Sequence, residues 1–189
     1  MPAATPRGAA FVDPPPRLPL LLRAGTWLAE RIAGRTLLLP RLLAWYPRSA
    51  LGAGLLEATI AHRDGRIDRR VLKLVRLAAS HATACPFCVE MNSERHVEAG
   101  VTPAELEALA ARADVEAIPT LSPLERIAVR YARLVSATPL RFHPDFAEEL
   151  RRTFDEREIV VLATTAAQVN YWARMAQALG VPTGIPTER

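Results

Sequence analysis

The sequence predicts an all-helical protein. After residue 19, period-2 alternation of apolar and polar residues is absent and β-branched residues are sparse, whereas Ala, Leu, Arg and Glu, which favour helices, dominate. The chain has 189 residues, of which 50% are hydrophobic and 23% charged. This composition excludes intrinsic disorder and suffices for one sizeable core, so we expect one helical domain.

The chain divides into an N-terminal arm and a helical body. Residues 1–19 are rich in Pro, Ala and Arg and have little apolar periodicity, so we expect a flexible or extended arm before a helical domain over residues 20–189. Prolines interrupt the apolar residues of the arm, which argues against a signal peptide. Because no stretch has the roughly 18 uninterrupted apolar residues of a membrane span, we expect a soluble, cytoplasmic protein.

The charge pattern argues against a nucleic-acid partner. Lys and Arg (24) outnumber Asp and Glu (20), which gives a net charge of +4 and a pI near 9.7. The basic residues are dispersed among acidic ones and form no basic run. We therefore expect neither nucleic acid nor a membrane as a partner.

Two predicted helices flank the cysteines. Asp68 is a suitable N-cap, and the apolar residues that follow it recur at helical spacing, which predicts a helix over residues 69–82. Further along, Pro86 suits the first position of a second helix. This placement makes Cys85 the N-cap and puts Cys88 in the first turn.

Capping motifs mark three later helices. Thr102-Pro103-Ala104-Glu105 and Ser122-Pro123-Leu124-Glu125 are capping boxes with proline at the first helical position, and Asp155 with Glu158 resembles one. The helix after the second box is expected to run to about Ala137, because a proline follows shortly after.

The last helix is predicted over residues 156–179, with Gly180 ending it. Most of its circumference is apolar, so we expect burial together with an oligomer interface. Its narrow polar stripe consists of Asn170, Arg174 and Gln177, whose side chains we expect to hydrogen-bond neighbouring backbone groups.

The two cysteines, separated by two residues, indicate redox chemistry or half of a metal site, and not the disulfide framework of a small secreted domain. Free N–H groups and the positive end of the helix dipole stabilise a thiolate, so we expect Cys88 to be the more acidic cysteine. The spacing lets the two cysteines reach each other across one turn, so an oxidised sulfur on one can be captured by the other as a disulfide. The alternative is that both are inert, buried residues.

Zinc is a further alternative, with His81, Cys85, Cys88 and His96 as candidate ligands. If the second helix runs to Gly100, as we expect, His96 lies roughly 12 Å along it from Cys88, which is too far for one tetrahedral site. Three ligands remain, and a structural site needs four. We therefore expect no metal and no organic cofactor.

The cysteine segment resembles a known family. The run from Leu74 to Ser80, continued by Cys85-Pro86-Phe87-Cys88-Val89-Glu90-Met91, is similar to the signature of the alkylhydroperoxidase D-like, or carboxymuconolactone decarboxylase, family. Residues 23–47, the helix after Ser122 and residues 170–182 also fit its longer members. The resemblance implies an all-α, single-domain bundle of packed helices that assembles as a homo-oligomer.

The resemblance also implies site residues. In the peroxidase branch the second cysteine attacks the peroxide and the first resolves it, which carries over to Cys88 and Cys85. That branch has a glutamate and a histidine as a proton relay at the positions of Lys73 and Asn92 here. An unperturbed lysine, with a pKa of about 10.4, is a poor proton shuttle, so we expect Lys73 to stabilise the thiolate by charge and Asn92 to hydrogen-bond locally. His81 is the nearest other titratable group, either as a catalyst or as a hydrogen-bonded helix-end residue.

We therefore predict a thiol-dependent oxidoreductase that reduces hydroperoxides or carries out related dithiol/disulfide chemistry, with a dithiol reductant that can be a protein. Two other functions stay open. A decarboxylase or lyase would bind a small ring-carboxylate substrate through Arg174 or Lys73 without thiol chemistry. A non-catalytic member would keep the fold as a binding or assembly module after losing the relay.

Overall fold

The structure is a computed structural model that describes residues 10–60 and 64–183. Within these ranges all regular secondary structure is helical, which confirms the predicted fold class. Residues 1–9 of the predicted arm lie outside the described residues. The division into an arm and a single domain stays a prediction.

The described residues fall into two compact units, and the first consists of residues 10–59 and 175–183. Its helices are α1 (Leu20–Ala33), α2 (Leu38–Leu43) and α3 (Pro47–Thr59). The Glu30 carboxylate fixes the turn between α1 and α2, because it accepts the Leu37 N–H at 3.0 Å and the Arg41 guanidinium at 2.9 and 3.0 Å.

One side of α1 is apolar and exposed. The large side chains on it, each between 53% and 73% exposed, are Leu20, Leu21, Trp27, Leu28 and Ile32. They recur at helical spacing and therefore form a stripe along the helix. An exposed apolar surface of this kind is typical of an interaction site.

The second unit, residues 60 and 64–174, contains both cysteines. It includes the greater part of α9 (Glu156–Ala178) and five other α-helices, α4 (Arg69–Ala82), α5 (Pro86–Ser93), α6 (Pro103–Ala110), α7 (Pro123–Val135) and α8 (Pro144–Thr153). Short 3₁₀ turns lie at Val97–Ala99 and Val115–Ala117. Helix α4 is central, since most of its residues from Val71 to Ser80 are buried and it packs mainly against α7.

The predicted caps form, and a half-buried arginine connects two of them. Thr102 with Glu105 and Ser122 with Glu125 make reciprocal capping boxes. The Arg70 guanidinium donates to Glu105 at 2.7 and 2.9 Å and to Glu125 at 2.6 Å. These bonds tie the start of α4 to the starts of α6 and α7. The Arg70 hydrogen bond is the main reason that the pKa of Glu105 falls to about 2.

The end of α5 differs from the prediction. The helix stops at Ser93, well before Gly100. Glu94 is extended (ψ 141°) and Arg95 has a left-handed φ of 52°, so the helical hydrogen bonds cannot continue. Gly100, with φ 81°, instead ends the short 3₁₀ turn.

The last helix follows the prediction closely. Asp155 and Glu158 bond each other's backbone N–H groups at its start, and Gly180 adopts a φ of 64° just after its end. Within the second unit, Leu162, Ala166 and Val169 are at most 2% exposed, so the expected burial is confirmed. The expected oligomer interface on this helix stays a prediction.

Candidate active site

The two cysteines lie where α4 gives way to α5. After the end of α4, Ala84 adopts a left-handed φ of 50° and turns the chain. Cys85 is then the N-cap of α5, and Pro86 occupies its first turn, as the proline position predicts. The Cys85 N–H also donates to the Ser80 carbonyl at 3.5 Å, so the turn is connected to α4.

Cys85 and Cys88 form a disulfide, with a Cα–Cα distance of 5.3 Å that is within the usual range for such a bond. The Cys88 N–H points at the Cys85 sulfur, at 3.2 Å. The two residues are 1% and 3% exposed, but their neighbours Ala84 and Pro86 are exposed. The disulfide therefore lies one layer below the surface, at the amino end of a helix whose free N–H groups favour a thiolate.

Asn92 hydrogen-bonds on the cysteine face of α5 and also reaches α4. Its Nδ2 donates to the Cys88 carbonyl at 3.0 Å and to the Ser80 Oγ at 2.9 Å. The Ser80 hydroxyl in turn donates to the Arg76 carbonyl at 2.8 Å, and Ser80 is fully buried. An amide at this position can hold these groups but cannot transfer a proton.

Lys73, on α4, contacts the C-terminal end of α5, whereas the cysteines lie at its N-terminal end. Its Nζ donates to the Glu94 carbonyl at 2.6 Å, just beyond the last residue of the helix and six residues after Cys88. Burial lowers the pKa of Lys73 to about 8, and repulsion from Arg76 and Arg69 adds to the effect. The sequence-based expectation of an ordinary lysine pKa is therefore wrong, and a neutral amine is populated near physiological pH.

His81 lies in the last turn of α4 and is half-buried. Its carbonyl accepts the Arg112 guanidinium at 2.6 Å, whereas its buried Nε2 has no hydrogen-bond partner among the described residues. Burial, followed by repulsion from Arg112 and Arg133, lowers its pKa. The imidazole is therefore neutral at pH 7 and adds no positive charge to the site.

The sequence analysis missed the buried polar residues of α4. Arg76 is 8% exposed and donates to Gln168, which is 1% exposed, at 2.7 Å. Lys73, Arg76 and Ser80 stand at positions i, i+3 and i+7, so they share one face of the helix. That spacing of polar residues within an apolar stripe was the signal that could have found them.

The four candidate zinc ligands are not arranged along two helices as the sequence analysis expected. Because α5 ends at Ser93, His96 does not continue the helix of Cys88, and the distance estimated along one helix is wrong. The His96 Nδ1 lies 2.8 Å from the Ser93 carbonyl. Across residues 10–60 and 64–183 no group of three or more His, Cys, Asp and Glu side chains is arranged to hold a metal ion.

Comparison with known proteins assigns this region to a family. Residues 50–133, which contain both cysteines, match the family model of the carboxymuconolactone decarboxylase family. This segment belongs to that family.

None of the described helices is both long and apolar enough to cross a membrane.

Three individual proteins are similar over most of the chain. YnjA of Escherichia coli (strain K12), an uncharacterised protein, is 27% identical over 171 residues, which cover 90% of this chain and 92% of YnjA. The alkylhydroperoxidase AhpD core of a peroxidase-related protein from Ralstonia eutropha superimposes with a TM-score of 0.78 at 19% identity, covering 96% of this chain and 95% of that one. The debrominase Bmp8, solved as a C82A variant with 2,3,4-tribromopyrrole, also has a TM-score of 0.78 at 19% identity, with coverages of 93% and 92%.

Proposed function

We propose that the protein is a dithiol/disulfide oxidoreductase that reduces hydroperoxides, with Cys88 as the attacking thiolate and Cys85 as the resolving thiol. The observation that carries this proposal is the Cys85–Cys88 disulfide at the amino end of α5. A pair whose Cα atoms lie 5.3 Å apart across the first turn of a helix is suited to a cycle between dithiol and disulfide.

The proposed reaction has three balanced steps. The Cys88 thiolate attacks the distal peroxide oxygen, the O–O bond breaks, and the products are a Cys88 sulfenic acid and, after protonation, an alcohol. The Cys85 thiol then attacks the sulfenic sulfur, forms the disulfide and releases water. A dithiol reductant returns the pair to thiols by two exchange steps and is itself oxidised to a disulfide.

Proton transfer limits the proposed rate. Asn92 does not titrate, and Lys73 bonds a carbonyl beyond the opposite end of α5 from Cys88. Water therefore protonates the leaving alcohol in this proposal. Since a positioned general acid contributes about 10²–10⁴-fold, we expect peroxide turnover to be slow.

The substrate panel follows from the burial of the sulfurs and from the structural neighbours. Small hydroperoxides come first, because both cysteines are at most 3% exposed. A brominated pyrrole also belongs in the panel, because Bmp8 was solved with 2,3,4-tribromopyrrole. We place the reaction in the cytoplasm, where dithiol reductants are maintained.

The test is peroxide consumption in the presence of excess dithiothreitol. Wild type should turn over and Cys88→Ser should be inactive. Reduced Cys85→Ser, treated with peroxide after the dithiothreitol has been removed, should consume one equivalent and stop at the Cys88 sulfenic acid. Equal rates for wild type and Cys88→Ser would reject the proposal. An activity on ring carboxylates that survives loss of both cysteines would support the lyase alternative instead.

One observation favours a non-catalytic second candidate. Lys73 and Asn92, at the relay positions, both hydrogen-bond across the α4–α5 junction. A binding or assembly module would use them in this way. If wild type is inactive and the double variant Lys73→Glu/Asn92→His reduces peroxide, this second candidate is favoured.

We also propose that copies of the chain associate through the apolar side of α1. Its five large apolar side chains are each more than half exposed and form one continuous stripe, which a second copy of the chain would bury. Sedimentation velocity should give an oligomer for wild type and a smaller species for Leu28→Glu. A wild-type monomer at micromolar concentration would contradict the proposal.

A further inference from the structure

We infer that Ser80 is a positioning residue for the cysteine pair. Together with Asn92 it forms a hydrogen-bonded brace, the Ser80–Asn92 brace, that holds α5 against α4 and keeps the disulfide out of reach of thiols. This inference rests on the proposed dithiol/disulfide chemistry and adds a residue to it that has no role in the bond changes.

Ser80 is connected to both halves of the disulfide turn. Its carbonyl accepts the Cys85 N–H at 3.5 Å, and its hydroxyl accepts an Asn92 amide proton at 2.9 Å. The second Asn92 amide proton goes to the Cys88 carbonyl at 3.0 Å. Both amide protons are used, so Ser80 and Asn92 together fix the backbone on either side of the sulfur atoms.

Helix α5 is docked less firmly than a long core helix. It has eight residues, and Cys88 is its one fully buried residue, while Phe87, Val89 and Met91 are half-buried. Because its apolar burial is smaller than that of a long core helix, each hydrogen bond to α4 contributes a larger share of its docking.

The brace controls access because attack on a disulfide requires a free path to one sulfur. With both cysteines at most 3% exposed, α5 must move before a thiol reductant can attack. The observed reduction rate is then the intrinsic rate multiplied by the population of the open form. Losing one hydrogen bond of ordinary strength raises that population about fivefold.

The chain provides a matched control in a second brace, Ser136–Asn170. Asn170 Nδ2 donates to the Ser136 Oγ at 2.9 Å and to the Ala166 carbonyl at 2.9 Å, and the Ser136 hydroxyl donates to the Ala132 carbonyl at 2.8 Å. The bonds have the same types and nearly the same lengths as in the first brace. The two braces differ in the carbonyl that accepts the second amide proton. In the Ser136–Asn170 brace it belongs to Ala166, whereas in the Ser80–Asn92 brace it belongs to Cys88.

The experiment measures reduction of the oxidised protein by dithiothreitol, in the absence of peroxide, by alkylation and mass spectrometry. We expect Ser80→Ala to be reduced about fivefold faster than wild type and Ser136→Ala to match wild type. Asn92→Ala removes the same bond and also the bond to the Cys88 carbonyl, so it should accelerate reduction at least as much as Ser80→Ala. The double variant Ser80→Ala/Asn92→Ala should be no faster than Asn92→Ala alone, because Ser80→Ala adds no further loss between the two side chains.

Two results would overturn the inference. Equal acceleration in Ser80→Ala and Ser136→Ala would mean that any loss of stability opens the disulfide. No acceleration in both Ser80→Ala and Asn92→Ala would mean that the brace does not limit access. Since no peroxide is used, a wild type that is inactive towards peroxides but shows the Ser80-specific effect rejects the proposed function and keeps this inference.

Discussion

The Ser80–Asn92 and Ser136–Asn170 braces have nearly the same geometry but hold very different helices. The first holds α5, which has eight residues and one buried residue. The second holds α9, which has 23 residues and buries Leu162, Ala166 and Val169 in the core of the second unit. The same hydrogen bond is therefore one of many stabilising contacts in α9 and one of fewer in α5. The importance of a bond depends on what else holds the element that it joins.

The bonds from Arg70 to Glu105 and Glu125 are the strongest that join helices in the second unit, so their loss should cause the largest destabilisation of the variants compared below. Arg70→Ala leaves the buried Glu105 carboxylate without its main partner, and we expect the free energy of unfolding to fall by about 3–5 kcal/mol. Urea unfolding at pH 7 measures it. Arg152→Ala, which breaks an exposed pair with Glu148, is the control and should change little.

The same tie predicts a pH dependence. The folded pKa of Glu105 is about 2, below its ordinary value of 4.5. Its contribution to stability is therefore complete above about pH 5 and is lost as the pH falls from the ordinary pKa of 4.5 to the folded pKa of about 2. Arg70→Ala should flatten the acid limb of the stability curve, and an unchanged acid limb would contradict this assignment.

Breaking either brace should lower the free energy of unfolding by the same amount. Ser80→Ala and Ser136→Ala each remove one buried hydroxyl that donates one bond and accepts another, so we expect a loss of about 1 kcal/mol in each. Thermal unfolding of the two variants checks this. A much larger loss for Ser136→Ala would mean that the two sites are not a matched pair.

Lys73 provides a second connection between α4 and α5, because its Nζ donates to the Glu94 carbonyl just after the end of α5. Its folded pKa of about 8 lies below the unfolded value of about 10.4, so between these values the unfolded chain binds more protons and stability rises with pH. Lys73→Met should abolish this rise. Lys73 is the chain's one lysine, so a single labelled lysine resonance titrates it, and a midpoint near 10 would contradict the prediction.

The smallest effect is expected at the turn that precedes Cys85. Ala84 has a φ of 50°, which costs alanine about 1 kcal/mol and glycine almost nothing. Since glycine also stabilises the unfolded chain by roughly as much, Ala84→Gly should change the free energy of unfolding by less than about 0.5 kcal/mol. Ala84→Val should destabilise clearly, and urea unfolding distinguishes the two.

Local signals in the sequence predicted the helix starts well. The capping boxes at Thr102 and Ser122 and the proline after Cys85 act within one turn, so they do not depend on how the helices pack. The disulfide was predictable for the same reason, because only two residues separate Cys88 from its N-cap partner Cys85. The bounds of α4 follow from the Asp68 N-cap and from apolar residues that recur at helical spacing as far as Ala82.

The remaining features depend on how the helices pack. The early end of α5 requires a left-handed Arg95, and arginine carries no sequence signal for that conformation. The Ser80–Asn92 bond depends on how α4 crosses α5, and the lowered pKa of Lys73 depends on burial that a single sequence does not reveal. The polar positions on α4 were visible, but their partners were not.

The central claim is that Cys88 reacts with peroxide and Cys85 captures the product. Its most direct test treats the reduced protein with one equivalent of hydrogen peroxide, blocks free thiols and analyses the tryptic peptide of residues 77–95, which carries both cysteines. We predict that this peptide loses two hydrogens as the disulfide forms and that Cys88→Ser does not react. Recovery of both cysteines as alkylated thiols, with the peroxide unconsumed, would contradict the account.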